Sequence, residues 1–138
     1  FIGGNHEASN YLRSMYYGGW VAENIYFMGS SGMVDVEVDG ERTLKLGGIS
    51  GIEQYQDYTK GLYEVQPYSY GDKKSIYHYR EFDVQKLLLH SESPDVFLSH
   101  EWPQMTTTQQ YCHSKQLQYL LKKKKFFAQD VKQGRLGA

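Results

Sequence analysis

The chain has 138 residues, a formal net charge of −1 and a single cysteine. That length suits one domain, and the charge excludes the global basic field that many nucleic-acid binders carry, so any RNA contact has to be local. Cys112 alone can form neither an intrachain disulfide nor a zinc knuckle, and no apolar run approaches membrane-spanning length or a signal-peptide layout, which points to a reducing compartment and no membrane partner.

In chain order, Phe1-Ile2-Gly3 reads as the end of a buried strand, followed by a glycine turn and the polar run Asn5-His6-Glu7 opening a helix. Ala8, Tyr11, Leu12 and Met15 recur at helical spacing over residues 8–17, and Gly18-Gly19 ends that helix. Residues 24–28 read as a short strand. Residues 33–38 alternate apolar and acidic, Asp39-Gly40 is a hairpin turn, and 42–46 is the returning strand, running into the glycine-rich Gly47-Gly48-Ile49-Ser50-Gly51. Residues 53–74 show no sustained period, and so long a loop is uncommon in a compact domain unless it is functional. Residues 76–90 read as a helix and 95–99 as a second buried strand ending in His100, with Pro103 stopping the pairing. Residues 106–113 are polar loop. Ser114 then caps a helix with Leu117, Leu120 and Leu121 on its apolar face, and four lysines at 122–125 precede a last helical stretch over 126–133. The chain starts inside an apolar strand and stops just past a helix, the pattern of a slice of a longer protein. Strands alternating with helices, plus one hairpin, predict a layered α/β fold.

Two strand ends therefore each deliver a metal-ligand residue type, Asn5 with His6 at one and His100 at the other. An amide oxygen and an imidazole nitrogen suit Mn²⁺, Fe²⁺ or Zn²⁺. Phosphodiester cleavage needs an activated water, neutralised phosphoryl oxygens and a proton for the leaving alkoxide; a metal pair supplies the first two and a nearby acid the third. Taken alone, Asn5 reads equally as a turn or helix-cap residue, and Glu7 in the first turn favours the helix dipole whatever else it does. His78, His90 and His113 read as structural, and the 122–125 lysines as a solvated helix face. The thirteen tyrosines suit core packing and base stacking alike. In the 51–75 segment, Tyr55, Tyr58 and Tyr63 are candidate stacking faces, and Lys60, Lys73 and Lys74 candidate phosphate partners.

The stretch from Phe1 to Trp20, then Leu46-Gly47-Gly48-Ile49-Ser50-Gly51-Ile52, Asp57-Tyr58-Thr59-Lys60-Gly61, Ser75-Ile76-Tyr77-His78 and Phe97-Leu98-Ser99-His100-Glu101-Trp102-Pro103 together resemble the RNA lariat debranching enzymes, a branch of the calcineurin-like metallophosphoesterases. The resemblance implies a β-sandwich flanked by helices, incomplete here at both ends, with 1–138 a partial catalytic domain and 51–75 its lariat recognition loop. It implies hydrolysis of the 2′–5′ phosphodiester at the branch point of excised intron lariats, a divalent metal pair (Mn²⁺, Fe²⁺ or Zn²⁺), branched RNA as partner, and a nuclear protein with cytoplasmic access. Within it Asn5 and His100 stand at metal-ligand positions. His6 stands where the family's histidine contacts the phosphate and protonates the leaving oxygen. Glu101 replaces the family's usual Asp. The superfamily's opening Asp-x-His, bridging Asp and closing Gly-His-x-His have no match, so the 138 residues alone are expected to be inactive. Two rivals remain: another metallophosphodiesterase acting on nucleotides, and a non-catalytic RNA-binding relative.

Overall fold

The structure, a computed structural model, describes residues 1–101. The expectations for Cys112, His113, the helix from Ser114, the 122–125 lysines and the stretch after them lie outside the described residues. Among the described residues the fold is mixed α/β, as the sequence predicts: helix α1 (Ser9–Ser14), strands β1 (Gly19–Ala22), β2 (Ile25–Phe27), β3 (Ser31–Val38) and β4 (Arg42–Ile49), helices α2 (Tyr55–Tyr58), α3 (Tyr70–Ser75) and α4 (Glu81–Leu88), and strand β5 (Val96–Ser99). β1 and β2 form an antiparallel ribbon; the second sheet has the order β3-β4-β5, antiparallel then parallel.

The predicted hairpin joins β3 to β4. Asp39 (φ 58°) and Gly40 (φ 71°) both take the left-handed conformation, which matches the twist of the paired strands. The parallel β4–β5 register pairs Ile49 with Ser99, so Ser50 and His100 emerge at the same edge of the sheet. Residues 1–4 lie outside both sheets but are tied to that edge. Gly3 N–H donates to Ser50 Oγ (3.0 Å), Gly51 N–H donates to the Gly3 carbonyl (2.8 Å), and Met28 N–H donates to the Phe1 carbonyl (3.0 Å). Gly51, at φ 91°, lets the chain turn against Tyr77, whose carbonyl a side chain here would overlap; Ile52 then bridges to His78.

Four expectations are corrected. Phe1-Ile2-Gly3 is not the end of a buried strand: it pairs in neither sheet, and Phe1 is 44% exposed. Residues 53–74 are not one structureless loop but carry α2 and α3, the latter held by a capping box in which Ser69 and Asp72 exchange side-chain bonds. The helix expected over 76–90 forms only at Glu81–Leu88, because the Ile52 N–H donates to the Tyr77 carbonyl and the Ile52 carbonyl accepts from the Tyr79 N–H, which draws the residues around His78 out of a helix. Among the described residues β5 is not buried: it is the edge of its sheet there, and Val96 and Phe97 are 42% and 49% exposed.

The core is partly polar. Phe27 and Met28 are buried beside Arg80 and Asp83, each only 1% exposed. Asp83 accepts from Tyr16 OH (2.5 Å), Ser30 Oγ (2.8 Å) and Arg80 N–H (2.8 Å), and its carbonyl accepts from Ser31 Oγ (2.8 Å). A buried carboxylate is tolerated because these donors replace its water. Burial and the Asp83 contact push the Tyr16 phenol well above its ordinary value. Lys86 Nζ, buried without a hydrogen bond among the described residues, lies 4.3 Å from the Tyr16 ring centroid, a cation–π contact in place of water.

Candidate metal and RNA site

The site begins at Gly4. His100, delivered by the end of β5, meets it with the Cδ2–Nε2 edge of its ring: a Cβ added to Gly4 would overlap the imidazole at Cδ2 and come within 2.5 Å of Nε2. Only glycine permits that approach, and the next residue is Asn5. Glu7 closes the turn by accepting the Gly4 N–H at 2.5 Å. The two stretches singled out in the sequence thus meet at Gly4, although only the one ending in His100 is a strand. Among the described residues no hydrogen-bond partner engages the side chains of Asn5, His6 or His100. One neutral oxygen donor and one imidazole, adjacent and uncommitted, fit part of a divalent-metal site. Among the described residues no group of three or more His, Cys, Asp or Glu gathers to complete it.

Asn5 and His6 also line an open groove of about 770 Å³. Its near wall is Asn5 to Asn10; its far wall is Gln66, Pro67, Tyr68, Tyr70, Lys73 and Lys74. The α1 residue Ser9 reaches across, its hydroxyl donating to the Lys73 carbonyl (3.4 Å). Lys74 Nζ lies 4.6 Å from the Tyr70 ring centroid. A groove with ammonium groups and exposed aromatic faces beside an imidazole can hold a polyanion with unstacked bases.

The six nominated RNA contacts divide. Lys73 and Lys74 line this groove; Tyr55, Tyr58, Lys60 and Tyr63 do not. Tyr55 is exposed on α2. Tyr58 meets Tyr79 edge to face with centroids 6.3 Å apart, and Lys60 Nζ is paired with Asp57 at 2.8 Å. Tyr63 is exposed too, with its ring against Gly61. Sequence reasoning missed Tyr68 and Tyr70 as groove residues, although both stand among the tyrosines of the segment. Spacing carries no sign that Tyr68, just before α3, and Tyr70, at its start, share a groove with Asn5.

A chain of charges fixes the 51–75 segment. Asp57 accepts from His78 Nδ1 (2.7 Å) and Lys60, and its carboxyl is held down to about 2 by the Lys60 bond first and the His78 bond second. Glu64 Oε1 accepts from Arg80 (2.6 Å) and from Ser75 Oγ (2.5 Å). His78 is thus structural, as the sequence reading has it.

No family model matches the chain. Among curated proteins the chain is similar along its whole length to lariat debranching enzyme A of Xenopus laevis, at 50% identity, and to the lariat debranching enzymes of Homo sapiens (47%) and Schizosaccharomyces pombe (48%). It covers 24%, 24% and 28% of those proteins. No helix among the described residues is long and apolar enough to cross a membrane. From its first residue to its last, the chain is similar to a segment, about a quarter in length, of these lariat debranching enzymes.

Proposed function

We propose that this protein hydrolyses the 2′–5′ phosphodiester at the branch point of lariat RNA, with these 138 residues forming part of its catalytic domain. The observation that carries the reading is the convergence at Gly4. His100 touches Gly4, the residue before Asn5 and His6, and Asn5 and His6 open into a groove that Lys73 and Lys74 share. The end-to-end similarity to lariat debranching enzymes supports it.

Asn5 and His100 would hold one ion of a divalent pair (Mn²⁺, Fe²⁺ or Zn²⁺). When bound, such a pair supplies a nucleophilic water and neutralises charge on the phosphoryl oxygens. His6, exposed at the mouth of the groove, contacts the phosphate and delivers a proton from its imidazole to the leaving oxygen. Lys73 and Lys74 pair with phosphates flanking the branch, and Tyr68 and Tyr70 offer faces on which splayed bases stack. The 51–75 segment thereby selects the branch, because a 2′–5′ and a 3′–5′ diester present the same phosphate. Tyr55, Tyr58, Lys60 and Tyr63, outside the groove, are contacts for more distant parts of the lariat. An enzyme of excised introns belongs in the nucleus with passage to the cytoplasm, which a fluorescent fusion tests.

The complete protein, supplied with Mn²⁺, should convert a branched RNA to a linear product and leave a linear 3′–5′ RNA of equal length intact. Lys73→Ala with Lys74→Ala should slow that conversion while sparing bis(p-nitrophenyl) phosphate. Equal cleavage of both RNAs, or none of either, would refute debranching.

A further inference from the structure

Glu64 lies on neither wall of the groove, yet it joins the elements that carry both. Its side chain is 6% exposed. Oε1 accepts from Ser75, the last residue of α3, and from Arg80 Nη2. Oε2 faces Arg13 on α1 at 3.8 Å and, though buried, has no hydrogen-bond partner among the described residues. Arg80 in turn donates to the Ser75 hydroxyl (2.8 Å) and carbonyl (3.2 Å) and to the His78 carbonyl (3.1 Å). Two guanidinium groups from different elements therefore share one carboxylate. α1 extends the near wall from Asn5; α3 carries Lys73 and Lys74 on the far wall. A second link between these two helices, the Ser9–Lys73 bond, is long and lies near the surface. Neutralising Glu64 would leave Arg13 and Arg80 as two unmatched cations in a largely desolvated place, where like charges repel strongly.

We infer that Glu64 is a positioning residue for the debranching reaction: its charge, shared between Arg13 and Arg80, sets the separation of the groove's two walls and so the fit of a branched strand. This rests on the debranching reading for its substrate, but its geometric part stands apart from it. Uniform widening of the groove weakens the grip on a three-armed RNA and leaves a small diester at the Asn5–His6 end untouched.

The test uses the complete protein with Glu64→Gln, which keeps the shape and removes the charge. Spin labels at Tyr11→Cys and Tyr70→Cys, in a background with Cys112 and every other reactive cysteine of the complete protein replaced by Ser, report the wall separation by electron paramagnetic resonance. Glu64→Gln should shift and broaden that distance distribution. Without labels, it should raise KM for branched RNA about tenfold while kcat/KM for bis(p-nitrophenyl) phosphate stays within about twofold. Arg13→Gln should reproduce both effects, and Arg13→Lys, which returns the charge, should largely reverse them. If Glu64→Gln does not fold, the Arg13 pair decides the matter alone. Unchanged wall separation, or equal losses on both substrates, would overturn the positioning role. If the unmodified protein does not cleave branched RNA, the debranching reading fails, and the distance measurement still decides whether Glu64 sets the walls.

Discussion

Gly4→Ala isolates the contact on which the metal reading depends. The added methyl would overlap the His100 ring and lie 2.5 Å from Nε2, with Glu7 Oε2 at 3.1 Å. Gly4 is not among the residues with positive φ, so alanine suits the backbone and the main conflict is with the imidazole, Glu7 having to give by only a few tenths of an ångström. His100 is exposed, so its ring is free to retreat by about 1 Å to ordinary contact distance without unfolding anything. The stability cost should fall at the low end of overpacking, about 1 kcal/mol. A ligand displaced by about 1 Å, however, costs on the order of 10²-fold in rate. Gly3→Ala is the matched control. Its methyl would press on Leu12 Cδ1 at 2.7 Å, a flexible side-chain end, and meet Phe27 and Ser50 at 3.8 Å. In the complete protein, Gly4→Ala should lose bound metal by elemental analysis and about 10²-fold in cleavage while its melting curve barely moves; Gly3→Ala should keep its metal and its cleavage. Full metal occupancy and wild-type cleavage in Gly4→Ala would show that His100 and Asn5 do not act together.

Other outcomes follow from the same geometry. His6→Ala should keep its metal, lose about 10²- to 10⁴-fold on branched RNA, and lose much less on a diester whose leaving group needs no proton. His100→Ala should lower metal content and activity together, and full occupancy by elemental analysis would reject the ligand role. Asp83→Ala strands three donors and leaves Arg80 without its backbone anchor, so urea unfolding should show a loss of about 3–5 kcal/mol. Asp57, lowered from 3.8 to about 2, adds stability that is complete above its unfolded value and lost as pH falls through its folded one. Acid unfolding followed by circular dichroism should therefore show a limb between those two values that Asp57→Asn flattens.

Several features are legible in local chemistry alone. Asp39-Gly40 names its own turn, because few residue pairs tolerate two left-handed conformations in succession. The alternation over 33–38 marks a strand, and Asn5, His6 and His100 draw attention as ligand types at strand ends. What the residues do not state is distance. That His100 rests on Gly4 follows from the parallel pairing of β4 with β5 and from the bonds tying residues 1–4 to Ser50 and Gly51, contacts between positions far apart in sequence.

The 51–75 segment shows the limit most clearly. Its lack of period reads as a loop, yet α2 and α3 form there, each shorter than two full turns and so below the length at which a repeat becomes visible. Short helices are not stable by propensity alone; they are held by Asp57 to His78, Glu64 to Arg80, and the Ser69–Asp72 box. β5 errs in the other direction. Val-Phe-Leu reads as a covered strand, but exposure is set by what packs on each side, and β5 is a sheet edge. The sequence by itself determined the residue types of the site, the hairpin and the mixed α/β class, because those depend on neighbours along the chain. Tertiary structure decided which lysines and tyrosines share a groove with Asn5 and which carboxylate holds its walls, because buried charges are placed by partners that only folding brings within reach.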